Sequence, residues 1–112
     1  MDISFPNARL AKLFSSEKEL VRKFGKEQAK LIMRRMTELA AAENLQQLTS
    51  LPQIRPHELS GNLKGRISLD LKHPYRLLIA PDYEEIPRKK DGGLDWSQIK
   101  KVIIIGVEDT HG

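Results

Sequence analysis

The hydrophobic pattern of this 112-residue chain changes once, from a helical period to an alternating one. Apolar residues return every three or four positions over residues 7–24, and again from residue 26 to about 43, which predicts two helical arms. Ser16 followed by Glu19 is typical of a capping box, and Gly25 is typical of a helix end. These signals predict a helical hairpin whose first arm bends near Ser16.

Beyond Pro52, apolar and polar residues alternate, as they do in strands that bury one face. The predicted strands cover residues 54–59, 66–71, 75–80 and 102–107, with a short edge strand over residues 2–5. Short links at 61–65 and 72–74 predict that the strands beside them form an antiparallel meander. The polar stretch 81–97, rich in prolines and glycines, is predicted to be a long loop.

Helices followed by strands predict an α+β fold, in which an N-terminal helical hairpin packs on a small, mainly antiparallel β-sheet. The length and the lack of internal repeats predict a single domain over residues 1–112. The helices would cover one face of the sheet and leave the other exposed.

Composition limits the cellular compartment and the kinds of chemistry that we expect. The chain has no cysteine, no apolar run near the roughly 20 residues of a membrane helix, and no signal pattern at its start. We therefore expect a cytoplasmic protein without disulfides or thiolate metal sites. Lys and Arg number 19 against 15 Asp and Glu, and the resulting charge of +4 permits a nucleic-acid partner without requiring one.

Common enzyme motifs do not occur: GxGxxG, GxxxxGK[ST], HExxH and GxSxG are all absent from the sequence. The histidines number three, at His57, His73 and His111, which is too few for a histidine-rich metal centre. We predict neither a metal nor a nucleotide cofactor.

A basic stretch extends from Arg55 to Arg76 and is opposed by two carboxylates. Its members are Arg55, His57, Lys64, Arg66, Lys72, His73 and Arg76. Alternation puts Arg66, Ser68 and Asp70 on one side of their predicted strand, which we expect to be exposed to solvent. Arg76 is predicted to reach this same face, opposite the helices.

Arginine and histidine on a sheet surface suit phosphate chemistry. Arginine offers phosphate a planar fork of donors, and histidine titrates near neutrality. A metal-free ribonuclease needs a base for the 2′-hydroxyl, cations for the charge that develops on the phosphate, and an acid for the leaving oxygen. Plainer interpretations remain: the arginines are ordinary solvated residues, His57 packs beside Pro56, His73 belongs to a surface turn, and Trp96 anchors the loop to the core.

Several short motifs occur in an order that is typical of one toxin family. They are RPHELSG at 55–61, SxDL at 68–71, PYRL at 74–77, DWSxI at 95–99 and EDxH at 108–111, with FGK at 24–26 and AAAENL at 40–45 in the helical part. With this order and spacing, nearly the whole chain resembles the HigB-like killer proteins of the RelE/ParE toxin superfamily.

The resemblance implies the toxin of a bacterial type II toxin–antitoxin system. Toxins of the nuclease branch of this superfamily cut mRNA in the ribosomal A site without metal or other cofactor, and so inhibit translation. The expected partner is a helix-turn-helix antitoxin of the HigA kind, in a heterotetramer that binds operator DNA through the antitoxin. We expect no membrane partner.

The resemblance also implies roles for residues at matching positions. Arg76 matches the family arginine that follows an aromatic residue and is assigned to the scissile phosphate. His57 matches the family histidine of the first sheet strand. Asp109 and His111 match the Asp-aromatic-His ending at the C-terminus of the family. The predicted catalytic residues are Arg76, His57, Asp109 and His111, and the predicted RNA-binding residues are Arg55, Lys64 and Arg66.

The chain departs from the family at Ser60, where many relatives have lysine, and at Thr110, where tyrosine is common. These departures keep alternatives open. The protein could be a toxin without nuclease activity that binds a protein such as gyrase, or a catalytically weakened antitoxin-binding module. A plain RNA-binding module ranks last, because the sequence lacks the interleaved aromatics of a stacking platform.

Overall fold

Three N-terminal helices pack on one face of a five-stranded, mostly antiparallel sheet in the computed structural model, which describes residues 1–109. The helices are α1 (Ala8–Phe14), α2 (Glu17–Phe24) and α3 (Lys26–Ala41). The strands are β1 (Asp2–Ser4), β2 (His57–Glu58), β3 (Ile67–Asp70), β4 (Tyr75–Pro81) and β5 (Lys101–Asp109). The predicted α+β class is confirmed.

The helix boundaries follow the capping signals of the sequence. The Asn7 side chain accepts a hydrogen bond from the backbone N–H of Leu10 at 2.8 Å and begins α1. The Ser16 side chain accepts one from the N–H of Glu19 at 3.2 Å and begins α2, so the predicted bend is a break between two helices. Gly25, at φ 87°, separates α2 from α3 in a conformation that favours glycine.

The strands lie in the order β1-β5-β4-β3-β2, and β1 pairs parallel to β5 while all other pairs are antiparallel. The predicted meander of β2, β3 and β4 is confirmed. However, β2 contains two residues, whereas a strand over 54–59 was predicted. Arg55 has a positive φ of 46° and Pro56 has no N–H to donate, and together they interrupt the ladder.

The core lies between the helices and the inner face of the sheet. Leu20 of α2 and Ile32 and Leu39 of α3 are fully buried. The sheet supplies the cross-strand pairs Leu69–Leu77 and Ile67–Ile79, which are also fully buried. Among residues 1–109, no helix combines the length and the apolar character needed to cross a membrane.

A buried arginine joins α3 to the sheet, and we call its contacts the Arg35 junction. Arg35 donates from Nε to the backbone oxygen of Asp70 at 2.7 Å and from Nη2 to that of Gln53 at 3.0 Å. Its Nη1 donates to Glu38 Oε1 at 2.8 Å, and Glu38 Oε2 accepts from Gln53 Nε2 at 2.8 Å. The junction fixes the segment before β2 and the end of β3 to the helix layer.

The turn between β3 and β4 is held by α3. Gln28 accepts the backbone N–H of Lys72 at 2.9 Å and donates to the Lys72 carbonyl at 3.3 Å. The Lys72 ammonium lies 2.7 Å from the carboxylate of Glu27. The peptide bond between His73 and Pro74 in this turn is cis.

The predicted loop after β4 begins one residue later than expected and is ordered by local contacts. The backbone N–H of Lys100 donates to the Tyr83 hydroxyl at 2.7 Å, and Arg88 pairs with Leu94 across a narrow turn. Trp96 packs against the core, as predicted for an anchor of this loop.

Candidate functional site

The face of the sheet that points away from the helices, here called the open face, collects most of the candidate residues. Residues that lie opposite each other in a strand ladder share a face of the sheet, so the strand register shows which side chains belong to the open face. One end carries Asp70, Arg76 and Glu108, the middle carries His57, Ser68 and Leu78, and the other end carries Arg66. The predicted sharing of this face by Arg66 and Arg76 is confirmed.

A three-membered ion cluster occupies one end of the open face. Asp70 Oδ1 lies 3.1 Å from Arg76 Nη1, and Asp70 Oδ2 lies 3.6 Å from Arg55 Nη1. The side chains of Asp70 and Arg76 are 21% and 18% exposed, whereas that of Arg55 is 64% exposed. Asp70, which in the sequence was merely a charge opposing the basic stretch, is therefore the centre of the Arg55–Asp70–Arg76 cluster.

The backbone brings Arg55 to this cluster. The N–H of Asp70 donates to the carbonyl of Ile54 at 2.8 Å, which places the segment before β2 beside the end of β3. Arg55 then takes its positive φ, a conformation that costs a side-chain-bearing residue about 1–2 kcal/mol. The strained residue sits next to the charged pair, where its guanidinium completes the cluster.

A small cavity of about 120 Å³ opens beside the cluster. Its lining includes Arg55, Asp70, His73, Tyr75 and Arg76. The sequence pattern did not predict a site role for Asp70 or Tyr75, and His73 was interpreted as a turn residue. The turn does contain His73, yet the same turn brings this side chain to the cavity.

The middle of the open face differs from the prediction. Ser68 was expected to be exposed to solvent on a wet strand face, but Ser68 and Leu78 are both fully buried. The Ser68 hydroxyl has no hydrogen-bond partner among residues 1–109. Alternation predicted the side of the sheet correctly but not the solvent exposure, because a side chain's exposure also depends on its longer neighbours.

The predicted catalytic residue His57 and the predicted RNA-binding residues Lys64 and Arg66 lie apart from the cavity. His57 lies exposed on edge strand β2, two strands from Arg76, which corresponds to roughly 12 Å between Cα atoms at standard sheet spacing. Arg66 precedes β3, at the end of the face opposite to Asp70, and Lys64 is exposed in the preceding link. The side chains of His57, Lys64 and Arg66 make no ion pair or hydrogen bond within the described part of the chain.

The C-terminal candidates are only partly covered by the structure. Asp109 pairs with Tyr75, which puts it on the helix side of the sheet, while Glu108 pairs with Arg76 on the open face. The register thus puts Glu108, and not Asp109, directly opposite Arg76, although the sequence analysis grouped Asp109 with Arg76. His111 and Thr110 lie outside the described residues.

No group of three or more metal-binding side chains comes together within residues 1–109. Comparison with protein families, curated proteins and solved structures finds no significant match. The candidate site therefore rests on its own geometry: an arginine-rich end, an exposed histidine on an edge strand, and unpaired cations at the far end of the same face.

Proposed function

We propose that this protein is the toxin of a type II toxin–antitoxin system and that it cleaves mRNA on the ribosome without a metal ion. The observation that carries this proposal is the position of Arg76. It lies on an inner strand of the sheet, is largely buried, and faces away from the helices beside a second arginine. A half-enclosed guanidinium with a neighbouring cation suits a phosphate group in a site that partly excludes water.

The open face offers groups for each part of such a reaction. Arg76, supported by Arg55, would stabilise the charge that develops on the scissile phosphate. His57 could move a proton at either the 2′-hydroxyl or the leaving 5′-oxygen. Arg66 and Lys64 would hold the flanking phosphates, so that RNA would cross the face from the cluster towards the β2–β3 link.

Asp109 and His111 remain predicted contributors through the family resemblance. Asp109 lies opposite Tyr75, which lines the same cavity as Arg76, and substitution of Asp109 tests its role. A catalytic role for His111 is tested by substitution, since this residue lies outside the described part of the chain.

Induction of the protein in a bacterial culture tests the proposal. We expect growth arrest with new mRNA 5′-ends at codon-aligned positions, and a loss of about 100-fold or more in cleavage for Arg76→Ala. Arg9→Ala, which removes an exposed arginine from α1, is the matched control and should cleave normally. Full arrest and cleavage by Arg76→Ala would show that the site is assigned wrongly.

The proposal includes a protein partner and a compartment. A toxin of this kind acts in the cytoplasm on ribosomes and is neutralised by a helix-turn-helix antitoxin of the HigA kind, as a heterotetramer that binds operator DNA through the antitoxin. Co-purification with the product of the adjacent gene tests this part. A neighbouring gene that encodes no such protein would contradict the toxin–antitoxin assignment.

A second candidate function is favoured by Asp70. This carboxylate already contacts both Arg55 and Arg76, which leaves the cluster less positive than a free pair of arginines. The departures at Ser60 and Thr110 point the same way. The protein would then be a toxin that binds a protein target such as gyrase, or a weakened antitoxin-binding module. Intact mRNA during growth arrest, together with gyrase-linked DNA damage, would favour a gyrase-directed toxin over the nuclease.

A further inference from the structure

We propose that Asp70 is an internal competitor for RNA phosphate, whose carboxylate occupies Arg76 and Arg55 until a phosphodiester displaces it. This inference rests on the proposed function, because it takes RNA as the ligand of the open face. It adds a residue that sets the affinity of the site and that lies outside the predicted catalytic and RNA-binding sets.

The contacts of Asp70 are ionic, and their hydrogen-bond geometry is poor. Its Oδ1 is 3.1 Å from Arg76 Nη1, yet this buried oxygen accepts no well-aligned hydrogen bond from the described residues. Its Oδ2 is 3.6 Å from Arg55 Nη1, beyond normal hydrogen-bond length. A buried carboxylate oxygen without an aligned donor is costly, so Asp70 is an incomplete ligand for the two guanidiniums.

The backbone of Asp70 is held independently of its side chain. Its carbonyl accepts from Arg35 Nε at 2.7 Å, and its N–H donates to the carbonyl of Ile54 at 2.8 Å. The carboxylate can therefore turn away from Arg76 by side-chain rotation while β3 stays in place. The side chain is 21% exposed, which gives the displaced carboxylate a route to water.

A phosphodiester and a carboxylate each carry one negative charge, so charge alone does not favour displacement. Two other effects do. A phosphate can accept two parallel hydrogen bonds from an arginine fork, which Asp70 does not achieve here. In addition, an RNA strand that is already bound at Arg66 or Lys64 presents its next phosphate at high effective concentration. A small free anion lacks the second advantage, so Asp70 makes the cluster selective for a polyanion.

Binding of a short 2′-O-methyl oligoribonucleotide, which cannot be cleaved through its 2′-oxygen, tests the proposal with the purified protein. We expect Asp70→Asn to bind this probe roughly fivefold more tightly than the unaltered protein. The salt dependence should steepen by about one phosphate contact. We expect inorganic phosphate to bind weakly to the unaltered protein and more tightly to Asp70→Asn.

Two control variants isolate the effect. Asp2→Asn removes the same charge from β1, on the far edge of the sheet, and should leave the affinity nearly unchanged. The double variant Asp70→Asn/Arg76→Ala should lose most of the gain, because Arg76 is the closer of the two arginines that Asp70 occupies. Unchanged or weaker RNA binding by Asp70→Asn, or a gain of the same size without Arg76, overturns the proposal.

A measurement on the unaltered protein covers the case in which Asp70→Asn does not fold. The NMR signals of the Asp70 carboxyl carbon and the Arg76 guanidinium should shift together as the oligonucleotide is added, and an unmoved Asp70 signal at saturation overturns the proposal. Failure of the proposed function gives a different result. Cells would then show neither arrest nor cleavage, whatever Asp70→Asn does to binding in the purified protein.

Discussion

Two arginines of this protein approach the same residue from opposite sides of the sheet, and their surroundings differ. Arg35, from α3, donates three hydrogen bonds of 2.7–3.0 Å to Asp70, Gln53 and Glu38 and is buried. Arg76, from β4, contacts the Asp70 carboxylate at 3.1 Å without an aligned hydrogen bond to that oxygen. Arg35 is buried and donates to groups of the fold, whereas Arg76 is partly exposed and has N–H groups that a ligand can use.

The difference teaches how charge and burial separate structural from functional roles. A buried cation that donates to groups of the fold on both sides connects the layers, and its burial shields it from a ligand. A partly exposed cation whose nearest anion is poorly aligned can exchange that anion for another. The same comparison can be made by experiment, and substitutions on the helix side should affect stability while those on the open face affect binding.

The largest effect is expected for Arg35→Ala. This change leaves Glu38 without its buried partner and leaves the carbonyl groups of Gln53 and Asp70 unpaired, so we expect a loss of about 3–5 kcal/mol in the free energy of unfolding. Urea denaturation followed by circular dichroism measures this loss. Arg34→Ala, at the exposed neighbouring position, should change stability by less than about 0.5 kcal/mol. Equal effects of the two changes would contradict a structural role for the junction.

A smaller loss is expected for Gln28→Ala. The change removes the two hydrogen bonds that the Gln28 side chain makes to the backbone of Lys72, and we expect a loss of about 1–3 kcal/mol. The amide of Lys72 should also exchange its hydrogen faster, which NMR can follow directly. Lys30→Ala, on the exposed surface of the same helix, is the control. If the Lys72 amide exchanged as slowly in Gln28→Ala as in the control and the unaltered protein, the turn would be held in another way.

For Arg76→Ala we expect a small effect on stability and a larger effect on RNA binding. We expect a stability loss of about 1 kcal/mol, since Arg55 still faces Asp70, but a drop of roughly tenfold in oligoribonucleotide affinity with a shallower salt dependence. Denaturation and binding measured on the same preparation give both numbers. If Arg76→Ala destabilised the protein as much as Arg35→Ala, the contrast between the two arginines would fail.

The smallest effect is expected for Glu108→Gln. Glu108 lies opposite Arg76 on the open face and is exposed, so removal of its charge should raise oligoribonucleotide affinity by roughly twofold and leave stability unchanged. Glu84→Gln, an exposed change in the loop after β4, is the matched control for net charge. An equal gain in both variants would mean that net charge, and not the open face, is responsible.

Local signals in the sequence predicted the fold well, because they act over a few residues. The Ser16 cap, the Gly25 break and the alternation of β3 and β4 all depend on neighbours in the chain. The length of β2 was wrong, since the conformation of Arg55 is imposed by contacts with the distant end of β3.

The candidate site was predicted in part. Alternation correctly put Arg66 and Arg76 on one face, but it did not show that they lie at opposite ends of it, nor that Ser68 between them is buried. Asp109 was grouped with Arg76 by position in a motif, whereas the register of β4 and β5 puts Glu108 there. The bulge near Leu78 helps to set that register, and no pattern in the sequence pointed to it.

The sequence by itself determined the element order, the α+β class and the basic character of the second half, since each follows from periodicity and residue type. Tertiary structure alone decided the partner of each charge. Asp70 has Arg35 on its backbone and Arg76 on its carboxylate because three separate segments meet at the end of β3. Such pairings depend on strand register and helix packing, which depend on the whole core, and so they cannot be predicted from the residues around Asp70.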